Sequence, residues 1–217
     1  MSKSNISEII CILKSNYGNT MLARISKARS PFQSLIATVL SARARDETTE
    51  VIAKELFLHY KTPKQLANAK RKEVEKIIKK SGFYQVKAKR IIDISNVLIN
   101  EYGGQVPDNM DDLTGLPGVG RKTAGCVLVY AFDKPAIPVD THVHRVSNRL
   151  GLVHTKQPEK TEIALMEIAH KSTWKYINDL FVYHGKNVCK PIRPVCEACE
   201  ITKYCEYYRK IFSKNNT

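Results

Sequence analysis

The chain lacks any long apolar run, since no stretch approaches the roughly 20 consecutive apolar residues of a membrane-spanning helix. Its beginning also lacks the apolar core of a secretory signal peptide. Strict alternation of apolar and polar residues, the pattern of a half-buried strand, is missing as well. These absences argue against a membrane protein, a secreted protein and a sheet protein. We expect a protein of the cytoplasm, or of a nucleus if the host has one.

Acidic residues are scarce relative to basic ones. The 217 residues include 35 Lys and Arg against 21 Asp and Glu, which gives a formal net charge of +14. Such an excess indicates first a nucleic-acid partner and second an anionic membrane surface, although a lysine-rich protein can also have no specific partner. Residues 70–90 carry nine Lys or Arg and two Glu, half of the net charge. This concentration favours a polyanionic partner.

Apolar residues recur every three or four positions over most of the chain, which predicts helices. The segments 30–33 and 62–65 each combine an N-cap hydroxyl, a proline at the first helical position and a glutamine three residues after the cap. A long helix is predicted to end at Gly103-Gly104. The fold class is therefore all-α. Further helices are predicted over 110–114, 121–132, 141–150, 158–171 and 173–186.

Residues 116–124 have the sequence LPGVGRKTA and lie between a short and a longer predicted helix. Gly118 and Gly120 permit a tight turn, and the helix start that follows offers N–H groups and a positive dipole end to an anion. An ordinary corner between two helices could have the same glycines. The basic composition favours a DNA phosphate, held at Gly118, Val119 and Gly120 without reading the base sequence.

Two residues near helix starts are candidates for catalysis. Lys122 lies in the first turn after the glycines, where a lysine is usually a solvated surface residue. The positive helix end disfavours the ammonium form, so the neutral, nucleophilic amine becomes more accessible. Further along, the proline-stiffened segment 135–139 leads to Asp140, which we expect to cap the next helix. A capping aspartate stays ionised and fixed, which suits it to stabilise developing positive charge.

Four of the six cysteines fall within 17 residues. They are Cys189, Cys196, Cys199 and Cys205. In an intracellular chain such crowding indicates metal binding rather than disulfides. Four thiolates suit either a tetrahedral zinc ion or a [4Fe–4S] cluster, and the spacing alone does not choose between them. Cys11 and Cys126 stand alone in apolar helical patterns and are predicted to be core thiols.

The segment 116–124, the segment 139–142 (VDTH) and the 6-2-5 cysteine spacing together resemble the endonuclease III family of the helix-hairpin-helix DNA glycosylase superfamily. The resemblance extends from residue 30 to residue 205. It implies that Lys122 is the catalytic lysine, that Asp140 is the catalytic aspartate and that the four cysteines hold a [4Fe–4S] cluster. It also implies two helical domains: a central one over 24–134 with the hairpin, and a terminal one over 1–23 plus 135–217 with the cluster loop.

The activity implied by the resemblance is that of a bifunctional DNA glycosylase and AP lyase of base excision repair. An oxidised pyrimidine would be flipped out of the duplex before it can be reached. Lys122 would then displace the base, Asp140 would stabilise the cationic sugar, and β-elimination from a Schiff base would cut the strand. The expected partner is double-stranded DNA containing damaged pyrimidines or abasic sites, bound by a monomer.

The resemblance also implies DNA contacts outside the catalytic pair. Arg43 and Phe83 occupy the positions that fill the gap left by the flipped nucleotide, although Phe83 could instead pack in the core. At these positions the family commonly has glutamine and leucine, and His144 stands where an aromatic residue is usual. Lys190 and Arg193 are expected to face outward from the cysteine loop towards phosphates, although charged loop residues are often only solvated.

His142, within the VDTH segment, is a further expected DNA contact.

Two other functions compete with the lyase. A mismatch-specific glycosylase of the same superfamily, acting on T/G or U/G pairs, would release a base without cutting the strand, but such relatives typically lack a lysine at position 122. A non-enzymatic iron–sulfur protein would bind duplex DNA with the usual salt dependence and excise nothing. Having both Lys122 and Asp140 argues against it, because phosphate binding needs neither.

Overall fold

The computed structural model describes residues 3–18, 29–42, 44 and 46–212. These residues form twelve α-helices and three short 3-10 turns, and they contain no strand. The prediction of an all-α fold is confirmed. Within the same ranges, none of the helices combines the length and apolar character that crossing a bilayer requires. Arg43, one of the two expected gap-filling residues, lies outside the described residues.

The chain divides into two compact units, Ser26–Asp133 and Met1–Ile25 with Lys134–Thr217. Seven helices build the first, central unit. They are α2 (Pro31–Ser41), α3 (Asp46–His59), α4 (Pro63–Ala67), α5 (Arg71–Ile77), α6 (Tyr84–Tyr102), α7 (Met110–Gly115) and α8 (Arg121–Phe132). Helix α2 is buried along most of its length and packs against α3 and α8, while α4 and α5 pack against α6.

Both predicted capping boxes are present in the central unit. At the start of α2, Ser30 Oγ accepts from Gln33 N at 3.2 Å, and Ser30 N donates to Gln33 Oε1 at 3.2 Å. At the start of α4, Thr62 and Gln65 exchange the same two bonds. Each box satisfies two N–H groups at the helix start, which fixes where the helix begins.

The terminal unit is built from five helices and the three 3-10 turns. The helices are α1 (Lys3–Tyr17), α9 (Thr141–Leu150), α10 (Pro158–Ile168), α11 (Trp174–Asn187) and α12 (Glu206–Phe212). The 3-10 turns are Lys171–Thr173, Cys196–Ala198 and Thr202–Tyr204. Helix α11 packs against α1 and α9, and these three helices supply most of the core.

The two isolated cysteines differ in their burial. Cys126 is buried on α8, as predicted, but the prediction for Cys11 is wrong because its side chain is exposed on α1. Ile6, Ile9 and Leu13 form the buried stripe of α1 and are each at most 1% exposed. Position 11 lies on the other side of the helix, because neighbours in sequence are separated by about 100° around a helix axis.

Candidate active site and candidate metal centre

The glycine turn between α7 and α8 is fixed from within the central unit. Leu116 and Val119 are buried, and Val119 N donates to Leu116 O at 3.1 Å. Gly118 has a φ of +69°, and a Cβ added there would overlap the side chain of Arg90 from α6. The positive φ favours glycine at position 118, and the absence of a Cβ lets the Arg90 side chain lie against the turn. The structure places a basic side chain against the hairpin that sequence reasoning did not single out.

Helix α8 begins directly after this turn. Its N-cap residue is Gly120, which has no side chain that could cap the first N–H groups of the helix. A helix start of this kind presents a positive dipole end and backbone N–H groups to an anion. Lys122 lies in the first turn of α8, and its side chain is exposed. The candidate nucleophile is thus accessible and two residues from a potential phosphate site.

Phe83 is the N-cap residue of α6 and is 63% exposed, so the alternative that it packs in the core is wrong. Its backbone is left-handed, with a φ of +59°. A bulky residue in this conformation costs about 1–3 kcal/mol and persists only where the surrounding structure enforces it. The aromatic ring is therefore exposed at this turn at a cost in backbone free energy.

Asp140 is the N-cap residue of α9, as the sequence predicts. Its Oδ1 accepts hydrogen bonds from His142 N and Val143 N, both at 2.8 Å. The preceding residues 136–139 are buried, and Asn178 of α11 donates to Pro138 O at 2.7 Å. The capping bonds fix the carboxylate, and the buried segment fixes the backbone that leads to it. Because both capping bonds use Oδ1, Oδ2 is not part of the cap.

His142 is half-buried beside Gly185 of α11, where a Cβ on the glycine would crowd the His142 ring. Burial lowers the pKa of His142, opposed by the Asp140 carboxylate and assisted by Arg145 and Lys186. Arg145 donates to Gly185 O at 2.8 Å and to Cys189 O at 3.1 Å. Sequence reasoning missed Arg145, which connects α9 to the first cysteine.

The four clustered cysteines line one pocket in the terminal unit. Its remaining lining is largely apolar and includes Val146, Leu150 and Val188. Cys205 is buried, and the other three cysteines are half-buried. The structure therefore brings together all four of the residues that the sequence proposes as ligands.

Burial raises the pKa of the Cys196 and Cys205 thiols and raises that of Cys199 to about 11. The neighbouring cysteines raise these pKa values further, because each thiolate would repel the next. Four such groups facing one pocket become stable thiolates when a cationic centre lies between them, since metal coordination deprotonates thiols. The donor set therefore fits a thiolate-ligated metal group.

Two polar side chains reach the cysteines from neighbouring helices. Arg149 of α9 donates to Cys189 Sγ at 3.4 Å and to the backbone oxygens of Lys190 and Pro191 at 2.7 and 2.9 Å. Its guanidinium also lies 4.4 Å from the Tyr207 ring centroid. Arg149 thereby holds the backbone that follows the first cysteine, a role that no sequence motif indicated.

The second polar contact comes from His184 of α11, which is 2% exposed. Its Nε2 lies 3.8 Å from Cys199 Sγ, and its Nδ1 lies 2.7 Å from the Tyr17 hydroxyl. Burial lowers the pKa of His184 to about 4, so the ring is neutral at physiological pH.

Of the basic residues on the loop, Lys190 and Arg193 are both exposed, as expected.

Residues 36–171 match the HhH-GPD superfamily of base excision DNA repair proteins. The endonuclease III of Thermotoga maritima is 51% identical to this chain over 187 residues, covering 86% of the chain and 88% of that protein. This chain belongs to the endonuclease III family. The endonuclease III of Rickettsia prowazekii, 40% identical with 85% and 87% of the two chains covered, agrees with the assignment.

Solved structures extend the family likeness to the fold. A trapped endonuclease III–DNA covalent intermediate superposes with a TM-score of 0.88 and 34% sequence identity, covering 98% of this chain and 99% of that chain. A thermostable thymine-DNA glycosylase superposes with a TM-score of 0.82 and 28% identity, covering 94% and 95%. The resemblance found in the motifs is confirmed, and it extends over nearly the whole chain.

Proposed function

We propose that this member of the endonuclease III family is a bifunctional DNA glycosylase and AP lyase that removes oxidised pyrimidines. The observation that carries the proposal is Lys122, exposed in the first turn of α8 directly behind the glycine turn. A covalent enzyme–DNA intermediate, such as the one trapped for a related endonuclease III, needs a nucleophilic side chain. A lysine amine supplies it by forming a Schiff base.

The chemistry begins with neutral Lys122. Its Nζ lone pair attacks C1′ of the flipped nucleotide, the glycosidic bond breaks, and the bonding pair leaves with the base. The attacking nitrogen then loses a proton, its lone pair expels O4′, and O4′ takes up a proton as the sugar ring opens, which leaves a protonated Schiff base between Nζ and C1′. Removal of a proton from C2′ then expels the 3′ phosphate, with the iminium accepting electrons. The protein must therefore supply an amine, stabilise positive charge and hold the phosphates.

We assign the stabilisation of positive charge to Asp140. Its capping bonds keep the carboxylate ionised and immobile, and such a preorganised charge stabilises a cationic sugar without reorganisation. The role needs the negative charge, whereas the cap needs only a side-chain oxygen acceptor. Asparagine and aspartate are equally good N-caps, so substitution can separate the two functions.

Asp140→Asn is expected to slow base excision on the order of a hundredfold while leaving the thermal stability close to that of the wild type. Asp140→Ala should lose the same activity and also about 1 kcal/mol of stability, because the cap is removed. Single-turnover excision and thermal melts of both variants check this. Full activity in Asp140→Asn would show that the residue acts only as a cap.

For the DNA itself, we propose that the turn Gly118–Gly120 and the start of α8 hold a phosphate, with Arg90 adding positive charge beside them. Lys190, Arg193 and His142 are proposed as further DNA contacts, and Arg43 stays a prediction. The partner is duplex DNA with damaged pyrimidines or abasic sites, bound by a monomer. With this substrate the protein would act beside the chromosome, in the cytoplasm or, if the host has one, in the nucleus.

Phe83 is proposed to fill the gap left by the flipped nucleotide. Phe83→Ala is then expected to lower excision of an oxidised pyrimidine at least tenfold and to weaken binding to undamaged duplex no more than about twofold. Val86→Ala, which truncates another exposed apolar side chain in the first turn of α6, serves as the matched control. Equal losses of excision and duplex binding in Phe83→Ala would contradict the proposed role.

We propose that Cys189, Cys196, Cys199 and Cys205 hold a [4Fe–4S] cluster. The four thiols line one pocket, and four thiolates can hold either a [4Fe–4S] cluster or a tetrahedral zinc ion. The 6-2-5 spacing of the cysteines, which resembles that of the endonuclease III family, favours the cluster. When bound, the cluster would supply a covalent cross-link between four points of the loop.

The test of the proposed function uses the wild-type protein and a duplex with one oxidised pyrimidine. We expect strand cleavage without alkali and a covalent protein–DNA complex after borohydride reduction. Base release that needs alkali to show, strongest on T/G or U/G pairs, would replace the lyase with the mismatch glycosylase suggested by the similar thymine-DNA glycosylase structure. Duplex binding with no base loss on any lesion would leave only a DNA-binding protein.

A further inference from the structure

The left-handed turn at Phe83 needs support from the surrounding structure. A bulky L-residue with a φ of +59° relaxes to a more favourable backbone unless its neighbours prevent it. Ser81, two residues before Phe83, is 3% exposed and its N–H donates to Ile78 O at 2.8 Å. These contacts fix the entry to the turn, while the Phe83 ring itself points to the surface.

The exit from the turn is fixed by Lys87, in the first turn of α6. Its backbone N–H donates to Phe83 O at 3.0 Å, and its Nζ donates to Ser81 Oγ at 2.6 Å. Nζ also donates to Leu40 O at 2.8 Å, in the last turn of α2. One residue thus bonds to both sides of the Phe83 turn and to a second helix, at the C-terminal dipole end that attracts a cation.

The two hydrogen bonds of the Lys87 ammonium group go to the Phe83 turn and to the end of α2. The residue is 4% exposed, and both acceptors of its ammonium group are neutral. Burial, followed by the charge of Arg90, lowers the pKa of Lys87, which shows that the site disfavours the charge. A methionine would fill similar volume without this desolvation cost. The cation is therefore held at this turn by its hydrogen bonds, against the desolvation that burial imposes.

We propose that Lys87 is a positioning residue for DNA damage recognition, acting through Phe83. Its ammonium group ties the Phe83 turn to the end of α2, so that the ring stays outward and rigid when it enters the base stack. The inference rests on the proposed function, because it assumes that Phe83 fills the gap in damaged DNA. It assigns Lys87 no contact with the nucleotide.

The test compares Lys87→Met, Ser81→Ala and Phe83→Ala, together with both double variants that contain Phe83→Ala. Lys54→Met is the matched control, since Lys54 is an exposed lysine of the same unit that pairs with Glu50. Three quantities are measured: single-turnover excision, undamaged duplex binding, and fluorescence of a 2-aminopurine placed opposite the lesion. The fluorescence reports unstacking by the inserted ring and does not need base release.

Lys87→Met is expected to slow excision at least tenfold and to lower the 2-aminopurine signal, with duplex binding within about twofold of the wild type. Ser81→Ala should act in the same direction more weakly. In the Phe83→Ala background, both substitutions should add less than about twofold, because residues acting through one group are not additive. Thermal melts identify variants that are unfolded at the assay temperature, and Ser81→Ala carries the test if Lys87→Met is among them.

Two results would overturn the inference. Lys87→Met could match Lys54→Met in excision and fluorescence, which would give Lys87 no part in damage recognition. Alternatively, its losses could multiply with those of Phe83→Ala, which would show that Lys87 does not act through Phe83. Failure of the proposed function is recognised separately, since wild-type protein would then excise nothing. In that event the 2-aminopurine signal still decides whether Lys87 and Phe83 act together.

Discussion

Replacing Lys122 with alanine is expected to abolish the borohydride-trapped protein–DNA complex and to lower base release and strand cleavage by on the order of 10³-fold or more. The expected loss is large because, in the proposed mechanism, Nζ is the atom that forms the bond to C1′. Folding should be unaffected or slightly improved, because a cation in the first turn of α8 is disfavoured by the helix dipole and alanine favours helix. Trapping assays and thermal melts of the same preparation separate the two effects.

Two further variants show whether the amine or the charge of Lys122 matters. Lys122→Arg keeps the positive charge but not a usable nucleophile, since arginine is always protonated, so trapping should be lost as in Lys122→Ala. Arg121→Ala removes the neighbouring charge from the same turn, and we expect weaker, salt-sensitive DNA binding with trapping retained. A trapped complex that persists in Lys122→Ala would assign the Schiff base to another amine.

Features set by neighbouring residues were predictable from the sequence. The two capping boxes depend on residues three positions apart, and the cap at Asp140 needs only the two N–H groups that follow it. The glycine turn and the exposed lysine behind it follow from the same local rules. The error at Cys11 came from an apolar neighbourhood in sequence, whereas burial depends on which side of α1 a residue occupies.

The contacts that complete the sites could not be predicted, because they join residues that are distant in sequence. Lys87 bonds to a carbonyl 47 positions away, and Arg149 reaches Cys189 across 40 positions. The hydrogen bond between Tyr17 and His184 spans 167 positions. Each depends on which helices pack together, and a single sequence gives only the helices themselves. The left-handed backbone at Phe83 is also absent from local rules, which disfavour it.

Loss of one of the four proposed cluster ligands is expected to have the largest effect on stability. Cys199→Ser should remove the visible absorption of an iron–sulfur cluster, lower the iron content and reduce the melting temperature by at least about 5 °C. The segment 189–205 contains only short 3-10 turns, so it has little regular structure to keep it folded. Cys11→Ser is the matched control, because Cys11 is exposed and does not line the pocket. One zinc per chain without visible absorption would contradict the cluster.

The same variant tests how the cysteine loop supports Asp140, the residue of the terminal unit that we propose to be catalytic. Arg145 and Arg149 both extend from α9 to the backbone of residues 189–191, and Asp140 is the N-cap residue of α9. If the cluster only cross-links the loop, excision should fall in step with the folded fraction as Cys199→Ser is warmed. A variant that lacks the cluster but keeps wild-type stability would show that α11, α12 and the apolar lining hold the loop without metal. Lost excision in a fully folded, cluster-free protein would instead place the cluster in DNA binding or catalysis.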